Sequence, residues 1–96
     1  MFAAEARWVG ERLAAFSAEE LSPLLNIGSS TSEFRETAQP WTIDHIFRPL
    51  AERGVDIVHL DARDGPGIDI RADLLDEDDF HRVGTGRYRA LLCCNV

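Results

Sequence analysis

The sequence predicts an α/β fold, an open, mostly parallel sheet with flanking helices in one domain of 96 residues. Three observations carry that prediction. Short apolar runs at residues 24–27, 55–60, 68–72 and 88–96 have strand length and alternate with helical or polar stretches. The first run is followed by Gly28, the second by Asp61 and the third by Asp73, so small or acidic residues stand where strands end. A composition that is 45% hydrophobic and 28% charged belongs to a chain that folds.

Phe2, Ala6, Val9, Leu13 and Phe16 recur at steps of four and three, which lays one apolar stripe along a helix over residues 3–15, with Trp8 beside it. Ser17 and Glu20 have capping-box spacing and predict a short helical turn before Ser22 and Pro23. Residues 1–22 thus form a helical lead-in, and residues 23–96 the strand and helix core. Pro23 lacks an N–H and suits a strand start, and Leu24, Leu25 and Ile27 suit a strand buried on both faces. The stretch LLNIGSSTS at 24–32 organises the rest: its apolar run stops at Gly28, which can take backbone angles closed to other residues, and opens into small hydroxyl residues.

Residues 29–40 are polar, with only Phe34 strongly apolar, and read as a long loop or loosely helical turn beside a binding site. Over residues 41–53, Ile43, Ile46, Phe47 and Leu50 share a face and Gly54 supplies a stop, so a helix is predicted, kinked or split at Pro49. Residues 55–60 form the second strand, 62–67 a turn containing Asp-Gly-Pro-Gly, and 68–72 the third strand. Asp76, Glu77, Asp78 and Asp79 open a short helix that runs to Val83; acids there meet the positive end of the helix dipole, a reading preferred to a cation site. Residues 84–86 turn, and YRALLCCNV at 88–96 is a fourth strand apolar enough to be central. Four strands with two or three helices leave a parallel sheet short of cover, which reads as the first part of a domain, truncated after the fourth strand.

Composition narrows the partners. Net charge is −7 and all ten basic residues are Arg. An acidic chain without a basic cluster argues against a nucleic-acid or anionic-membrane partner. Cys93 and Cys94 are adjacent, so in a strand they point to opposite faces and read as buried, reduced thiols. His45, His59 and His81 are far apart and no CxxC occurs, so no metal site is expected. With neither a secretory leader pattern nor a membrane-length apolar run, the expected location is cytoplasmic.

The loop after the first strand, Asp61, Asp73 and Asn95 stand at the same end of four parallel strands, the edge where open α/β sheets bind ligands beside a reversal in strand order. An acid at the end of the second strand is placed to accept hydrogen bonds from two ribose hydroxyls. In LLNIGSS at 24–30, IVHLD at 57–61, GIDIRADLLD at 67–76 and YRALLCCNV at 88–96, the chain resembles the class I S-adenosylmethionine-dependent methyltransferases, in particular the broad type 11 kind. The resemblance runs from Leu24 onward, and the four-part order is more specific than any single piece. It implies a Rossmann-like sheet with S-adenosylmethionine as cofactor. By resemblance, Gly28, with Ser29 and Ser30 in the hydroxyl loop, meets the methionine and ribose part, and Asp61 holds the ribose. Asp73 and the Leu74 backbone bracket the adenine, and Asn95 lines the floor near the transferred methyl. Asn26 stands where the family has an acid, Ser30 and Ser32 stand where it has glycines, and the long interval from Gly28 to Asp61 is assigned to an insertion within 31–41. A hydroxyl loop still donates hydrogen bonds to a methionine carboxylate.

The resemblance implies catalysis by in-line placement of an acceptor behind an already activated methyl, with no residue nominated as a base. The acceptor is unreadable, because the family's acceptor segments follow the fourth strand. The 96-residue chain alone is expected to be inactive and to self-associate through its exposed last strand. His45, His59 and His81 are assigned structural roles. One alternative is a non-enzymatic nucleotide-binding or protein-interaction module derived from this fold. A nicotinamide-dinucleotide dehydrogenase fragment is the other, disfavoured because no GxGxxG is present.

Overall fold

The computed structural model describes residues 1–84 and 86–94; Asn95 and the end of the expected fourth strand lie outside the described residues. Strands β1 (Leu24–Ile27), β2 (Ile57–Asp61), β3 (Ile70–Arg71) and β4 (Ala90–Leu92) form one open sheet in the order β3-β2-β1-β4. Every pairing is parallel, so the arrangement is Rossmann-like. Leu24 is in register with Ile57 on one side and Ala90 on the other. The chain places β2 and β3 outward from β1 in one direction and then crosses back to set β4 on the other side. That reversal lies between β1 and β4.

Leu24, Leu25 and Asn26 are all buried, as a strand covered on both faces requires. Alternation sends Leu24 to one face, where it packs with Ala6, Val9, Ile46, Leu50 and Leu92. Leu25 goes to the other, with Leu60, Ala72 and Val83. The first face is covered by α1 (Ala3–Leu13) and by a continuous helical run made of α4 (Pro40–Thr42), a π-helical segment (Ile43–Phe47) and α5 (Arg48–Glu52). The second receives Val83 from α6 (Glu77–Val83). It is the more open of the two: Phe80 and Leu91 are 49% and 66% exposed.

Several elements depart from the sequence expectation, each for a local reason. The first helix stops at Leu13, so Phe16 falls outside it and is exposed, and Phe2, at the N-cap, is exposed too. Ala6 and Val9 carry the burial. The Arg53 guanidinium donates to the carbonyls of Leu13 and Phe16, satisfying acceptors at this helix end. The capping box of α2 (Ala18–Leu21) is present: Glu20 N–H donates to Ser17 Oγ at 3.1 Å and Ser17 N–H to Glu20 Oε1 at 2.9 Å.

The helix expected to kink or split at Pro49 runs on through it and widens just before it. Arg48 N–H donates five residues back to Ile43 O, the π pattern. Pro49 has no N–H, and in a regular helix its ring would press on the His45 carbonyl; the wider turn relieves that crowding. Gly10 of α1 packs on this same carbonyl, so closely that a Cβ at position 10 would collide with the oxygen. β4, expected to be central, is an edge strand of this sheet, with Leu92 buried and Leu91 turned out. Among the described residues no helix is long and apolar enough to cross a membrane.

Candidate functional site

The carboxyl ends of the four strands border one cavity of about 550 Å3. Ile27, Gly28 and Ser30 come from the end of β1, Leu60, Asp61 and Arg63 from β2, Ala72, Asp73 and Leu74 follow β3, and Cys93 follows β4. Ile27, Leu60, Ala72 and Leu74 give it apolar walls. A volume of this size and walls of this kind suit a small organic ligand.

Asp61 is the acid at its edge. Its carboxylate is mostly buried and accepts from Ser30 N–H through Oδ2 at 2.8 Å and from Arg63 N–H through Oδ1 at 3.0 Å, while Arg63 Nε lies 3.6 Å from Oδ1. Burial pushes this carboxyl up, but the two N–H donors and the Arg63 guanidinium outweigh burial and hold it below its ordinary value. A carboxylate has about four acceptor positions, so two remain for ligand hydroxyls. Arg63 also reaches Ser30 Oγ at 3.4 Å and is itself well exposed at the cavity mouth.

The loop after β1 is tightly determined. Gly28 takes φ 74 and Ser30 φ 56, both left-handed. The N–H groups of Gly28 and Ser29 both donate to Leu60 O, at 2.9 and 3.0 Å. Residues 29–40 are more ordered than the sequence suggested, since Thr31 caps α3 (Ser32–Thr37) by accepting from Phe34 N–H. Ser32 N–H donates to Pro66 O at 2.9 Å, and Gly67, at φ 82, lies so near Ser32 that a Cβ there would clash. The loops after β1 and β2 are thus joined.

Of the residues expected at the site, Gly28, Ser30, Asp61, Asp73 and Leu74 line the cavity. Ser29 is buried behind it, its hydroxyl donating to Ser30 O. Asn26 lies on the opposite sheet face, because strand alternation separates it from Ile27; its Nδ2 is 3.1 Å from His59 Nδ1. Asn95 falls outside the described residues. Cys93 and Cys94 diverge as expected, Cys93 to the cavity and Cys94 onto the first core, where burial pushes its thiol up, but they are not the two buried thiols expected: Cys93 is exposed and Cys94 half-buried, because both follow the end of β4. The acidic run is a cap: Asp79 N–H donates to Asp76 Oδ1 at 3.0 Å and Asp79 Oδ2 accepts from Asp73 N–H at 2.9 Å. Among the described residues no group of His, Cys, Asp and Glu is arranged to hold a metal.

Sequence reasoning missed Arg35. It is 9% exposed and donates to three backbone carbonyls behind the loop: Ser29 O at 3.3 Å, Ser30 O at 2.6 Å and Gly67 O at 3.0 Å. The available signal was its isolation, since no other Lys or Arg occurs between Arg12 and Arg48. Comparison with protein-family models, curated protein sequences and solved structures gives no match.

Proposed function

We infer that the cavity binds an adenosine-containing cofactor, S-adenosylmethionine by the resemblance in the strand-end motifs, and that the chain carries the cofactor site of a methyltransferase. One observation carries the reading. The ends of all four parallel strands meet at a single cavity beside the reversal in strand order, with an acid at the end of β2. The residues present fit the ligand. Ile27, Leu60, Ala72 and Leu74 offer an apolar slot to a purine, and the two free acceptor positions of Asp61 suit a ribose diol. When bound, the cofactor supplies an activated methyl on a sulfonium. This chain's residues bind, orient and exclude water.

The second reading, a non-enzymatic nucleotide-binding or protein-interaction module, has its own support in the open sheet face around Phe80 and Leu91. Calorimetric titration with S-adenosylhomocysteine, with NADH as control, separates the two. The expected result is saturable binding of the first ligand alone, lost in Asp61→Ala under conditions where circular dichroism shows the variant folded. A folded wild-type chain that binds neither ligand overturns the cofactor reading.

A further inference from the structure

The hydroxyl loop bordering the cavity is held from behind by one side chain. Ser29 and Ser30 turn consecutive carbonyls toward Arg35 Nη1, and Gly67 of the loop after β2 turns its carbonyl toward Nη2. One planar fork therefore ties together the two loops that flank the cavity. Ser30 is the only non-glycine residue at positive φ among the described residues, a conformation that a side-chain-bearing residue adopts at a cost. The Ser29–Ser30 peptide is held at both ends, its carbonyl accepting from Arg35 and its N–H donating to Asp61 Oδ2, and Ser30 borders the cavity.

We propose that Arg35 is the positioning residue of the ligand site, its guanidinium fixing the Ser29 and Ser30 peptides so that Ser30 and Asp61 meet a ligand in one preset geometry. Arg35 does not line the cavity; it lies behind the loop that does. The inference rests on the cavity being the cofactor site. Lys does not substitute, because three carbonyls on two loops require donors spread across a rigid plane, and an ammonium is a compact point charge. Burying the guanidinium costs free energy: burial lowers its pKa, with the fields of Asp69 and Glu36 opposing. Its return is a loop shaped before the ligand arrives, which removes an ordering cost from binding.

Arg35→Lys and Arg35→Met test the proposal with two readouts, S-adenosylhomocysteine affinity by calorimetry and the titration of the Asp61 carboxyl followed by NMR. The expected result is binding about tenfold weaker than wild type, together with an Asp61 titration moved upward because Ser30 N–H has left Oδ2. If the wild-type chain binds no S-adenosylhomocysteine, the cofactor reading fails, and the Asp61 titration alone decides the role of Arg35: moved upward it supports positioning, unmoved it overturns it. Unchanged affinity in a folded variant overturns the proposal, as does weaker binding with an unmoved Asp61. Should Arg35→Met unfold, Arg35→Lys decides; should both unfold, Arg35 is a determinant of the fold and the positioning role falls.

Discussion

At residue scale the pair Asn26 and His59 shows how a single side chain constrains the protonation of another. An amide nitrogen only donates, so at 3.1 Å His59 Nδ1 must be the acceptor, and the imidazole is neutral there. Phe47 meets the ring edge-on at 5.0 Å. Burial, with the Arg35 charge second and Asp69 opposing, lowers the His59 pKa from 6.5 to about 4. The unfolded chain therefore takes up a proton between those values that the folded chain refuses. Stability from this group is complete above 6.5 and is lost as pH falls through about 4. Thermal unfolding followed from neutral pH downward should show the midpoint falling across that window, and His59→Gln should flatten the fall. Asn26→Asp places a carboxylate beside Nδ1 and should move the His59 titration upward, read from its ring proton shifts. An unmoved titration would mean that the two side chains do not meet.

Elements show what periodicity reveals and what it omits. The first helix, the capping box and the buried first strand were legible because Ala6 and Val9, Ser17 and Glu20, and Leu24 and Leu25 obey local rules of spacing and burial. The π-helical segment was not legible. Pro49 announces an interruption but not its form, which depends on where the displaced His45 carbonyl finds room, and that room is made by Gly10 on another helix. Gly10→Ala should destabilise the fold by about 1–3 kcal/mol, as overpacking does, measured by urea unfolding. Ser17→Ala removes one half of the capping box and should cost roughly 0.5–2 kcal/mol. A Gly10→Ala variant as stable as wild type would show that the helices are not in close contact there.

The whole molecule reads as a parallel sheet with one well-covered face and one open face, and the cavity opens where the strands end. The order of strand-end motifs along the chain was enough to anticipate that the loop at Gly28 and Ser30 meets Asp61 and Asp73, because parallel strands put their ends at one edge, and the resemblance added Leu74. It did not anticipate that Asn26 faces away, since a run buried on both faces hides which residue points to which side. Arg35 was marked only by its isolation among basic residues, because its partners are backbone carbonyls of two loops, and backbone acceptors leave no trace in residue identity. Amide chemical-shift mapping of a titration with S-adenosylhomocysteine tests the cofactor site at the strand ends. Saturable shifts are expected at Gly28, Ser30, Asp61, Ala72, Leu74 and Cys93 around the cavity, with Gly10, Asn26 and His59 unmoved. Shifts centred on the other sheet face, or none at saturating ligand, would contradict that site.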